Sequence, residues 1–209
     1  MATSPFLPAL VIALSISQAF AQDLDKKLRV GPTVGINLAR TANPVYTTTG
    51  KPGFNAGVKA SYPLGRRVRL DGLLIYTEKG AQDDQWKEYY NYVEVPVLMR
   101  YEFGNSTKIY PMIGMYQAFL TSAYLATGSL PKSPLAKGDE GAHRYELGIN
   151  FGVGSQVNLT STTALFLDFR CSSGLTNVLK TGDSLFSRDG GSSVRTRNVV
   201  FSLNTGVLF

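Results

Sequence analysis

The chain has one cysteine, one histidine and no apolar run long enough to cross a bilayer as a helix. A lone cysteine excludes an internal disulfide. Cys171 also falls on the apolar parity of its segment, so it reads as a small hydrophobe and not as a nucleophile. His143 follows Asp139 and Glu140 in a polar stretch, where a single imidazole reads as a solvated side chain rather than a metal ligand. Hydrolysis would need a serine paired with that histidine, and nothing in the order of residues picks one out. No catalytic residue, metal or cofactor is therefore expected, and the chain does not read as an enzyme. Charge is sparse as well, at 17% of residues with a net +6. The positive side chains form no run, which argues against nucleic acid as a partner.

Charged side chains are missing altogether from Met1 to Ala21, where the apolar run LPALVIALSI precedes Ala19-Phe20-Ala21. That order matches a secretory signal cut before Gln22. The run falls short of the roughly 20 residues a helical anchor needs. Gln22, not cysteine, follows the expected cut, so a lipid anchor is not expected. Residues 22–209 then form one domain.

What is abundant is glycine, at 21 residues, and alternation. Eight segments are expected to be strands: Leu28–Leu38, Phe54–Leu64, Val68–Lys79, Tyr90–Phe103, Lys108–Leu120, Tyr145–Leu159, Thr163–Ser172 and Arg197–Phe209. Most reach the roughly 9–11 residues that a tilted strand needs to cross the hydrocarbon layer. Their connections alternate in length. Gly65–Arg67, Gly104–Thr107 and Thr160–Thr162 are tight turns, whereas Ala39–Gly53, Gly80–Tyr89, Thr121–Arg144 and Ser173–Thr196 are long and polar. Short turns at one end and long loops at the other are the habit of outer-membrane barrels.

Within six of these segments the apolar and charged residues take opposite parities. Val93, Val95, Val97, Met99 and Tyr101, for example, oppose Glu94, Arg100 and Glu102. The rule read from them is that no charge shares the apolar parity, as lipid would demand: a Lys or Arg at the bilayer midplane costs about 2–4 kcal/mol. The segment IYPMIGMYQAFL is ambiguous, because both parities are apolar. The reading is an all-β, eight-stranded antiparallel up-and-down transmembrane β-barrel. Arg29, Lys59, Arg69, Asp71, Glu94, Arg100, Glu102, Glu146, Asp168 and Arg170 are expected in its interior as a balanced charge network. A barrel of eight strands is just wide enough for side chains to fill, and buried charges are tolerable only when paired.

Further expectations follow. GINFGVG (148–154) lacks the strand-turn-helix context of a phosphate loop, and its glycines read as relief from crowding inside a narrow barrel. Tyr62, Tyr101, Phe103, Tyr110 and Phe209 at one end, and Tyr76, Trp86, Tyr89, Tyr90 and Tyr145 at the other, suggest interfacial girdles. Pro32, Pro63, Pro96 and Pro111 should force bulges or ladder gaps, above all at Pro96. Arg40, Lys51, Lys180 and Arg195 could hold glycolipid phosphates at the loop rim. The final segment, NVVFSLNTGVLF, alternates strictly and closes on Phe209, as a strand recognised by the barrel-assembly machinery would.

LDGLLIYTEKGA (70–81), YVEVPVLMRYEF (92–103), YPMIGMYQAFL (110–120), DFRCSSGLTNV (168–178) and the closing segment together resemble the outer membrane protein β-barrel domain family, the porin-family proteins of Bacteroidota-type bacteria. The Glu-x-Pro at Glu94 and Pro96 and the Gly-Leu-Thr-Asn at 174–177 carry the likeness. The resemblance implies a small barrel in the outer membrane of a Gram-negative cell, among its lipids and glycolipids. It brings no substrate or catalytic residue. The functional expectation is a surface or structural barrel, a monomer with a filled interior; the alternative is porin-like passage of small solutes or an apolar ligand.

Overall fold

The structure, a computed structural model, describes residues 28–42, 49–82, 86–127, 133–134, 143–176 and 197–209. The expected signal segment and its cut site lie outside these residues. Eight strands form the wall: β1 (Arg29–Ala42), β2 (Lys51–Pro63), β3 (Val68–Lys79), β4 (Trp86–Tyr101), β5 (Thr107–Thr127), β6 (Tyr145–Asn158), β7 (Ala164–Gly174) and β8 (Arg197–Leu208). Each pairs antiparallel with its chain neighbours, and β1 pairs with β8 as well as β2, so the sheet closes on itself. The expected eight-stranded barrel is thus the observed fold. Closure removes the free edges that an open sheet would leave.

The alternation sets the inside and outside. Val34, Ile36 and Leu38 face out while Thr33 and Asn37 are buried, and the same reversal repeats around the wall. The extremes are far apart: Ile36 and Ile113 are 66% and 67% exposed, whereas Lys59 and Asp71 are at 0%. An exterior more apolar than the interior is the pattern lipid imposes and water forbids.

The fifth segment, ambiguous in sequence, resolves into Tyr110, Met112, Tyr116, Ala118 and Leu120 inside and Ile109, Ile113, Met115 and Phe119 outside. Burial also overturns part of the expected girdle, because Tyr110 on β5 and Tyr90 on β4 lie inside the barrel rather than at its rims. Tyr101, Phe103, Tyr76 and Tyr145 do face out, with Tyr101 against Phe103 and Tyr145 against Phe119. Leu73, Ile75, Leu98, Tyr110 and Met112 form an apolar patch on the interior wall, so the inside is not uniformly polar.

The prolines act as anticipated at three positions, through gaps rather than bulges. Between β3 and β4 the register runs to Gly72–Val97 and resumes at Ile75–Glu94, skipping Pro96. Between β1 and β8 it stops at Thr33–Gly206 and resumes as hydrogen bonds between Val30 and Phe209, skipping Pro32. Between β4 and β5 it stops at Arg100–Met112 and resumes at the Phe103–Ile109 bridge, skipping Pro111. Each proline keeps its pairing on the other side, with Tyr116, Val58 and Val153 respectively. A missing N–H breaks one ladder only. Pro63 simply ends β2. The register shift that does occur lies at Asn91–Tyr92, where Thr121 is the extra residue and donates its hydroxyl to the Asn91 carbonyl (2.8 Å).

The three tight turns fall where they were expected. Gly104 has a φ of +93°, and a Cβ there would sit 2.3 Å from the Thr107 carbonyl oxygen, so that turn requires glycine. In the third turn the Thr160 hydroxyl accepts from the Thr162 and Thr163 amides (3.2 and 2.9 Å).

Candidate functional site

The ionised side chains meet inside the barrel because each occupies the inward parity of its strand. Toward the short-turn end, Lys59 (β2) lies between Asp71 (β3) and Asp168 (β7), at 3.1 and 2.8 Å, with its ammonium 4.2 Å from the Phe166 ring centre. Arg100 (β4) adds contacts to Asp71 (3.5 Å), Glu102 (3.1 Å) and the Gln156 amide oxygen (2.9 Å), and its guanidinium stacks 4.4 Å from the Tyr110 ring. Arg69 reaches Glu102 at 3.8 Å and donates to the Ser61 hydroxyl at 2.9 Å. Lys108 closes this cluster against Glu102 at 2.6 Å.

A second cluster lies toward the long loops. Lys79 (β3) bridges Glu94 (2.9 Å, β4) and Glu146 (3.2 Å, β6), with the rings of Tyr116 and Tyr92 within 4.5 and 5.1 Å of its ammonium. Glu146 also accepts from the Tyr116 hydroxyl and, at 2.6 Å, from the Asn198 amide. Glu146 thus has three donors, which is the condition for burying it, while Glu94 has Lys79. Between the two clusters sits a layer of amides and hydroxyls. Asn37 donates to Thr77 (2.8 Å), Asn55 donates to Asn37 (2.7 Å), and Ser172 donates to Asn150.

The glycines of 148–154 make this packing possible. A Cβ at Gly148 would lie 2.3 Å from the Tyr116 ring, and one at Gly154 would lie 2.5 Å from the Tyr110 ring. Both pairs are cross-strand register partners. The glycines therefore serve as the floor for two inward tyrosines, as their sequence context implied.

Of the ten expected interior charges, Lys59, Arg69, Asp71, Glu94, Arg100, Glu102, Glu146, Asp168 and Arg170 are buried. Arg29 differs: it sits half-buried at the short-turn rim, donating to Asn158 (2.9 Å) and to the Ser161 carbonyl (3.1 Å). Lys79 and Lys108 belong to the interior network although the sequence reading did not select them. Lys79 shares the parity of Arg69 and Asp71, so carrying the alternation to the end of its strand would have found it. Lys108 was hidden by the ambiguity of its own strand.

The rim residues separate. Lys51 turns inward, is 3% exposed, pairs with Glu78 and lies 4.1 Å from the Tyr89 ring centre, so its charge is already engaged within the protein. Glu78 corrects the rule that no charge shares an apolar parity, since it follows Leu74 and Tyr76 on β3. It does so at the strand's outer end, where it can reach Lys51. Arg40 is exposed, on the outward parity at the outer end of β1. Arg197, which the sequence reading passed over, is its diagonal neighbour on β8, because Arg40 pairs with Val199 and Ala42 with Arg197. Lys180, Arg195 and the Asp139–Glu140 pair lie outside the described residues. Among the described residues no cluster of histidine, cysteine and carboxylate side chains is set to hold a metal.

Residues 20–180 match the outer membrane protein beta-barrel domain family, and the chain belongs to it. It is a protein of the Gram-negative outer membrane. Among solved structures, it is similar to a major outer membrane protein from Thermus thermophilus (TM-score 0.51, 14% identity, covering 86% of this chain and 98% of that one). It is also similar to Neisserial surface protein A (TM-score 0.48, 15% identity, 86% and 97% covered). A third similar structure is Ail, the attachment invasion locus protein of Yersinia pestis (TM-score 0.46, 14% identity, 87% and 98% covered). At these identities the likeness is one of fold. A search of curated protein sequences returned no match.

Proposed function

We propose that this protein is a non-catalytic surface barrel: an occluded scaffold, anchored in the outer membrane, that presents its four long connections outside the cell. The observation that carries this reading is the filled interior. The bore is crossed at two levels by ion clusters whose central groups, Lys59 and Lys79, each touch two carboxylates from different strands. Between them lies a cavity that admits a water-sized species and no organic ligand. Such an interior favours a structural or interaction role over porin-like transport. Planar-bilayer recording of the reconstituted protein tests it. The expected result is an absence of steady unitary currents, and a reproducible open-channel conductance would overturn the reading.

The same proposal gives the barrel a lipid partner. Arg40 and Arg197 project from adjacent strands on the outward parity at the loop end. Two guanidinium groups at that height suit the phosphates of outer-leaflet glycolipid, which they can engage through charge-assisted, forked hydrogen bonds. Lys180 and Arg195 remain proposed contacts from sequence. Exchanging Arg40, Arg197, Lys180 and Arg195 for glutamine should reduce glycolipid co-purification. Unchanged co-purification would remove this part of the proposal.

A further inference from the structure

Among the described residues, the interior holds one cation without a partner. Arg170 is 3% exposed, yet it makes no ion pair or hydrogen bond with a described residue, and its Nε is buried and unsatisfied. Its register partners are Gly152 and Ser202, neither of which offers a carboxylate. The acid two residues along its own strand, Asp168, is taken by Lys59 (2.8 Å) and the Tyr110 hydroxyl (2.7 Å). Glu94 and Glu146 are taken by Lys79. An unpaired buried charge is among the costliest features a fold can retain.

Arg170 lines a small cavity in the amide-hydroxyl layer with Asn37, Asn55, Thr77, Lys79, Ser172 and Ser202. Glu94 and the apolar Ile75 and Val200 complete the lining. We infer that this cavity is a binding site for a small monovalent inorganic anion, a halide, held by Arg170 and the surrounding hydroxyl and amide donors. A halide supplies the counter-charge that Arg170 lacks among the described residues and needs no directional acceptor geometry. The competing occupant is a water bridging Arg170 to Glu94 or to the unsatisfied Asn55 Oδ1.

The mature protein, folded in detergent micelles at constant ionic strength with gluconate as the balancing anion, is titrated with sodium bromide in the millimolar range. Thermal unfolding is read by loss of the folded band on unheated gels. The wild type should show a midpoint that rises and saturates, and Arg170→Gln should show none of that rise. Glu94→Gln, which removes the one carboxylate from the lining, should saturate at lower bromide. Crystals of the wild type grown in bromide should carry an anomalous peak against the Arg170 guanidinium. A wild-type midpoint indifferent to bromide, a response that persists in Arg170→Gln, an unshifted saturation point in Glu94→Gln, or an ordered water with no anomalous signal would each overturn the site.

Discussion

The Tyr116 ring fills the space that a side chain at Gly148 would occupy. A Cβ at 148 would come within 2.3 Å of the ring, and the tyrosine hydroxyl goes on to donate to Glu146. One pairing thus links the glycine content of β6 to the outer ion cluster: without the glycine the ring could not lie flat on the wall, and Glu146 would lose a donor.

That relationship predicts a stability loss for Gly148→Ala. Overpacking a filled interior costs about 1–3 kcal/mol, and the Tyr116 ring cannot withdraw without releasing Glu146. Urea titration of the folded protein in lipid vesicles should show a lower midpoint than wild type. Gly65→Ala is the control, since a Cβ at that turn meets nothing within 4 Å. Equal midpoints for the two variants would mean that the Tyr116 ring does not depend on the glycine.

Lys59→Met should be far more damaging than its conservative volume suggests. It leaves Asp71 and Asp168 facing one another without the ammonium that joins them. Breaking a buried pair by deleting one partner costs about 3–5 kcal/mol. Adding Asp168→Asn to Lys59→Met should recover part of the loss, because one orphaned charge disappears. A double-mutant cycle of unfolding free energies checks this, with a positive coupling between the two positions as the expected outcome.

The exterior makes the opposite prediction for charge. Ile113 is 67% exposed on the wall of β5, and placing arginine there should cost about 2–4 kcal/mol in a bilayer. The same Ile113→Arg substitution should be better tolerated in short-chain detergent, where the charged group reaches water easily. Folding free energies in the two media, compared side by side, measure the difference.

Much of this fold was legible from alternation alone, because lipid outside and ion pairs inside leave little freedom for a strand to slip register. The tight turns, the eight strands and nine of the ten expected interior charges follow from that one constraint. What alternation could not resolve was a strand with two apolar parities. Tyr110, Tyr116 and Lys108 were therefore lost as interior groups, and the apolar patch around Leu73 and Leu98 went unseen. At strand ends the constraint relaxes, since lipid no longer enforces it. That is why Glu78 breaks the rule and why Lys51 turns inward to meet it.

The central claim is that apolar side chains meet lipid while ionised ones meet one another inside. A nitroxide scan along Leu147–Val157 of β6, in a Cys171→Ala background, tests it most directly through relaxation enhancement by oxygen and by a water-soluble nickel complex. Labels at Ile149, Phe151 and Val153 should be oxygen-accessible and closed to nickel, while those at Asn150 and Gln156 should be shielded from both, giving a period of two. Nickel access at Ile149, Phe151 and Val153, or an accessibility profile without alternation, would contradict the account.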